Sequence, residues 1–172
     1  MRDRAETLAA LRRLHDDVDR RAGALAARHA ARLRCGRGCA ACCVDGLTVF
    51  EVEAERIRRA HPELLAEGEP HVAGACAFLD AEGACRVYEA RPYVCRTQGL
   101  PLRFFHEDED GEVHESRDLC PLNVPGGPPV GALAEDDCWL VGPTEDALRR
   151  LQESVDGGRG SRVALRSLFR RG

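Results

Sequence analysis

The sequence predicts an α+β fold: a small cysteine-rich domain with a long N-terminal helix, two β-hairpins and C-terminal helices. Three observations lead there. Apolar residues recur at helical spacing through residues 4–34, two later segments read as extended arms joined by Asp/Gly turn signals, and nine cysteines stand at 35, 39, 42, 43, 76, 85, 95, 120 and 138. A chain of 172 residues suits one domain with appendages. Its expected parts are an amphipathic helix at 1–34, a cysteine-bearing body at 35–122, and a Gly/Pro-rich loop with helices at 123–172.

The elements follow in order. Leu8, Leu11, Val18, Ala22, Leu25 and Leu33 lie close to one helical face with arginines and aspartates between them, and Gly23 weakens this helix without ending it. The alanine-rich stripe is thin for a self-standing coiled coil, so the helix reads as a lid on the core. Gly36 and Gly38 break it at Cys35 and permit tight backbone turns. A short extended piece leads into a second helix at 51–60, stopped by His61-Pro62. "GACAFLDAEGACRVYEARP" reads as a hairpin with arms 76–79 and 84–88 around a turn at 80–83, which brings Cys76 towards Cys85. "LRFFHEDEDGEVHESRD" reads as a second hairpin whose acidic tip lacks the ligand spacing of a calcium loop and serves as a solvated turn. His106 and His114 meet across its arms as a surface pair. Thr144 is the expected N-cap of a helix to about residue 155. In the tail, Arg162, Arg166 and Arg170 share one helical face opposite Leu165, Leu168 and Phe169. Such a helix docks apolar side down on its own domain, and its basic face is a candidate for anionic surfaces, RNA or membrane.

Composition excludes several functions. The net charge is −4 and all 25 Lys+Arg residues are arginine, which removes Schiff-base and lysine general-base chemistry. Acids and arginines are mixed along the chain, so there is no strong nucleic-acid signal. No apolar run is long enough for a membrane span and no hydrophobic signal core opens the chain, giving a cytoplasmic expectation. Neither a G-x-G-x-x-G dinucleotide fingerprint nor a G-x-S-x-G nucleophile elbow is present.

In a reducing compartment, cysteines at this density point to metal or redox chemistry, and their odd number argues against complete disulfide pairing. Cys39 and Cys42 have the C-x-x-C spacing of a metal knuckle, and Cys35 is near enough to add a third thiolate. Cys42 and Cys43 are adjacent, and since neighbouring side chains diverge, the pair suits two irons of a cluster or two separate ions. Cys76, Cys85, Cys95 and Cys120 form the complementary set. Cys138, in "EDDCWL", reads as a small buried hydrophobe. Arg91 and Arg96 flank Cys95 and are candidates to hydrogen-bond thiolates or offset their charge, or else to pair with Glu89 or Asp80. Eight thiolates suit two four-thiolate zinc sites, or one four-iron iron-sulfur cluster with four cysteines to spare; the adjacent pair tilts the choice towards iron.

"CGRGCAACC" followed by "CAFLDAEGACRVYEARPYVCR" resembles the bacterial YkgJ-type cysteine-cluster family, described as zinc- or iron-chelating, whose pattern is C-x2-3-C-x2-C-C, a cysteine hairpin with C-x-x-Y, and R-P-x-x-C-R. The resemblance spans residues 35 to about 122. It implies that Cys35, Cys39, Cys42, Cys43, Cys76, Cys85 and Cys95 are cluster positions, with Cys120-Pro121 as the eighth. Related proteins include a flagellin lysine methylase with an iron-sulfur cluster and others called iron-sulfur oxidoreductases. Two function classes follow: a metal module with a structural, carrier or electron-transfer role, or a redox or protein-modifying enzyme with the metal at its active site. No catalytic residue carries over, and the protein partner or substrate is unknown. A domain of this kind is expected to have little conventional core and to draw folding energy from its metal.

Overall fold

The computed structural model describes residues 3–169. It is a mixed α+β chain with a long N-terminal helix, small sheets and C-terminal helices. Helix α1 spans Arg4–Arg28 and stops short of the residue 34 expected from periodicity. The next residues form a tight turn, with Arg32 N–H donating to His29 O at 2.9 Å. The reason is tertiary. Arg32 is buried, and Gly126 approaches its backbone so closely that a β-carbon there would collide with it.

Strand β1 (Thr48–Phe50) leads into α2 (Glu51–Ala60), where the sequence places it. Glu51 and Glu53 in the first turn and Arg58 and Arg59 in the last complement the helix dipole. Gln152 Oε1 accepts from Val52 N–H at 2.8 Å, supplying a partner to one of the first-turn amides. His61-Pro62 ends α2, and Pro62 then opens α3 (Pro62–Glu67), since proline is suited to a first helical turn. After α4 (Tyr93–Arg96), β2 (Leu102–Glu107) and β3 (Val113–Asp118) make the second hairpin, with His106 opposite His114. β4 (Trp139–Leu140) adds parallel to β2, giving the order β3-β2-β4.

Three local expectations change. The first hairpin is reduced to one isolated bridge, Leu79 with Cys85, and its turn is held by Asp80 Oδ1 accepting from Ala84 N–H at 2.7 Å and Glu82 N–H at 3.0 Å. Helix α5 (Gly142–Asp156) starts two residues before Thr144, which lies inside it and is buried instead of capping it. The tail is not a helix: residues 162–164 form β5 (Arg162–Ala164), antiparallel to β1, and Leu165–Leu168 is a 3₁₀ turn. Pairing with β1 satisfies the edge of that strand, while Leu165, Leu168 and Phe169 are buried as expected. Arg170 lies outside the described residues.

The chain divides into two compact units. The first comprises Met1–Leu14, Gly36–Pro92 and Leu148–Gly172; the second comprises His15–Cys35 and Tyr93–Ala147. The first has a continuous apolar core that includes Val49, Ile57, Phe78, Val87, Leu165 and Phe169, which corrects the expectation of little conventional core. In the second, Tyr93 and Trp139 are buried, with the indole N–H donating to Tyr93 Oη at 2.8 Å and that hydroxyl donating to Val141 O at 3.0 Å. No helix among the described residues is long and apolar enough to cross a membrane.

Candidate metal centre

No disulfide joins any of the nine cysteines. Five of the eight candidate ligands, Cys39, Cys42, Cys43, Cys76 and Cys85, lie in the first unit, and Cys35, Cys95 and Cys120 lie in the second.

In the first unit the cysteines sit on loops tied together by main chain. Cys39 N–H donates to Gly36 O at 3.0 Å and Cys43 N–H to Ala40 O at 2.9 Å, winding "CGRGCAACC" into successive turns. Val44 bridges to Ala75, and Cys76 N–H donates to Cys43 O at 2.9 Å, so the knuckle loop and the Cys76 loop run side by side. Gly38, at φ 84°, takes up the left-handed backbone that only glycine adopts freely, and it packs against the turn that ends in Gly83. Cys43, Cys76 and Cys85 border the apolar core, which fixes one side of each loop.

A clamp from the C-terminal segment closes this arrangement. Arg166 Nε donates to both oxygens of Asp45, at 2.9 and 3.1 Å, while its other nitrogens donate to His71 O at 2.6 Å and Ala75 O at 2.8 Å. Asp45 also accepts from Gly46 N–H and Gly74 N–H, and the guanidinium beside it holds its carboxyl down at about 2. One ion pair thus spans both cysteine loops. Arg166, expected on a basic helical face, is spent within the fold.

The electrostatics favour a thiolate at Cys42. The Cys43 thiol donates to the Cys42 sulfur and brings the Cys42 pKa down to about 6, against the cost of its burial. The adjacent side chains therefore converge, which corrects the expectation that they diverge. Burial pushes the Cys85 thiol up, and the charges of Arg91 and Arg86 partly oppose this. Arg91 also donates to Tyr88 O at 2.8 Å and stacks over the Tyr88 ring at 3.9 Å.

In the second unit, Cys35 Sγ accepts from Asn123 Nδ2 at 3.5 Å. Asn123 is fully buried; its Nδ2 donates to Gly99 O, its Oδ1 accepts from Arg34 N–H, and its own N–H donates to Cys120 O at 2.8 Å. Gly99, at φ 88°, leaves room for the Cys35 sulfur that any β-carbon would fill. Cys95 lies in α4, and its neighbour Arg96 is paired with Asp19, a partner in neither of the sequence alternatives. Cys138 is buried beside Trp139. Spacing alone offered no signal for Asn123, Gly99, Asp45 or Arg166, because each acts across a long loop.

Soft sulfur donors in this number, with one thiol lowered towards neutrality and another given an N–H donor and a shaped cradle, fit a thiolate-binding metal centre. Within either unit no three cysteine sulfurs lie within 4.8 Å of one another among the described residues. A zinc ion bound at ~2.3 Å by each sulfur would hold them about 3.8 Å apart. Outside the cysteines, Asp108, Glu112 and His114 gather on the exposed tip of the second hairpin. That turn is already organised by Asp108 Oδ1, which accepts from Asp110 N–H at 3.0 Å and Glu112 N–H at 2.9 Å. Two clefts of the first unit, about 590 and 340 Å³, have no cysteine in their walls.

Comparison with family models matches residues 34–121 to CxxCxxCC, described as "Putative zinc- or iron-chelating domain". No curated protein and no solved structure matches the chain.

Proposed function

The chain belongs to the CxxCxxCC family, and from that premise we propose that it is a polycysteine iron-sulfur protein whose centre has a structural or electron-transfer role. The observation that carries this reading is the spread of the sulfurs: they gather on tied loops, yet no three within a unit are as close as a zinc tetrahedron requires. An iron-sulfur cluster takes its thiolates on different irons and accepts a wider set. When bound it would supply one-electron chemistry and cross-linking of the loops. Cys42, whose thiol is held below its usual value by Cys43, is a ligand of the first set, with Cys39, Cys43, Cys76 and Cys85 around the same loops. Cys35, Cys95 and Cys120 are the thiolates of the second unit. Thiols in this state suit a reducing compartment such as the cytoplasm.

The test is protein purified without oxygen. Broad absorption near ~400 nm with matching iron and sulfide is the expected result. Colourless protein carrying stoichiometric zinc would sink the iron-sulfur reading and leave the family's zinc alternative.

A further inference from the structure

Arg32 is 3% exposed, and it pairs with no carboxylate among the described residues. Its Nε donates to Asn123 O at 3.2 Å and its Nη2 to Pro128 O at 2.9 Å, while Nη1 is buried without a hydrogen-bond partner among those residues. The Gly126-Gly127 pair packs directly on this side chain, with Gly127 so placed that an added β-carbon would meet the guanidinium carbon at 3.3 Å. A permanent charge sealed from water and balanced only by neutral carbonyls is costly, and such a charge persists where an opposite charge compensates it. Asn123, whose carbonyl holds the Arg32 fork, gives its amide N–H to Cys35 Sγ and its main-chain N–H to Cys120 O.

We propose that Arg32 is the built-in counter-charge of the thiolate metal centre at Cys35, acting through Asn123 as a positioning residue. This rests on reading Cys35 as a thiolate ligand. A metal bound by several thiolates carries net negative charge, and a fixed guanidinium behind the ligand offsets that charge. Asn123 sets the geometry by keeping its amide N–H on the sulfur while its carbonyl anchors the cation.

The experiment titrates zinc(II) alone into full-length metal-free protein without oxygen. Occupancy is followed as protection of Cys35 from alkylation in a peptide-resolved mass spectrum. In Arg32→Gln the zinc concentration for half-protection should rise about 10- to 100-fold. Arg32→Lys, which keeps the charge and loses the fork, should stay close to wild type. Asn123→Asp keeps the side-chain shape while placing a competing negative charge beside the sulfur, and should weaken protection in the same direction as Arg32→Gln. Wild-type protection in Arg32→Gln overturns the proposal; so do equal losses in Arg32→Gln and Arg32→Lys, and so does unchanged protection in Asn123→Asp. If zinc does not protect Cys35 in the wild type, the same series is read with iron(II) and sulfide, and absence of protection with either overturns the ligand reading and the counter-charge with it.

Discussion

Cys120 and Cys138 carry the same thiol into different surroundings. Cys120 is half-buried, and its carbonyl accepts from the main-chain N–H of Asn123, whose side-chain Nδ2 donates to Cys35 Sγ. Cys138 is buried at the edge of β4, where loss of water pushes its thiol up although Arg117 partly opposes this. Serine at 138 should therefore leave metal content unchanged and cost about 1–3 kcal/mol, the penalty of burying a hydroxyl. Serine at 43 or 120 should lower metal content, because the donor itself is replaced. Metal analysis with denaturant titration of the three variants checks this. Full metal in Cys120→Ser with an empty Cys138→Ser would reverse the assignment.

At the scale of elements, the junction between α5 and β5 depends on one carboxylate. Asp156 accepts from Ser161 N–H at 2.7 Å, Gln152 Nε2 at 2.9 Å and Arg159 N–H at 3.0 Å, which holds its carboxyl well below the usual range. Ser161 O in turn accepts from Glu51 N–H at 3.1 Å, joining this turn to the start of α2. For a carboxyl with a lowered folded-state pKa, the stabilisation is present above the unfolded value of about 4 and is lost as pH falls through the folded one. The thermal midpoint should drop on acidification below about pH 4, and Asp156→Asn should start lower at neutral pH with a flatter pH profile. A profile identical to wild type would remove Asp156 from the junction. The neighbouring α2 depends on packing: Ile57 is fully buried in the first unit's core, and Ile57→Ala should cost about 2–5 kcal/mol in chemical unfolding.

For the whole molecule the question is how much of the fold belongs to the metal. A structural thiolate site of the zinc type contributes on the order of 10 kcal/mol, comparable to the entire margin of about 5–15 kcal/mol for a domain. The first unit has an apolar core of its own, so metal removal should not erase it. Chelation should lower the thermal midpoint and open the loops around Cys39–Cys43 and Cys76–Cys85 to limited proteolysis, while the circular dichroism of α1 and α5 largely remains. An unchanged midpoint after proven metal removal would contradict the metal's part in folding.

Periodicity and turn chemistry alone located much of this protein. The amphipathic stripe placed α1, Glu51 through His61-Pro62 bounded α2, and the Asp-Gly tip with alternating arms set the second hairpin in register. The cysteine spacing likewise marked residues 35 to about 122, close to the 34–121 matched by the family. Local signals of this kind act within a few residues, so they are readable from one segment at a time. Tertiary structure determined the rest. The tail had a helical pattern, yet β1 offered an unpaired edge and the apolar core a place for Leu165 and Phe169, so it became a strand and a turn. Cys42 and Cys43 meet through their thiols, within turns closed by main-chain bonds such as Cys43 N–H to Ala40 O. Arg166 reaches Asp45 over 121 positions and Asn123 reaches Cys35 over 88, separations at which a side chain's partner depends on how the backbone folds and not on its neighbours in sequence.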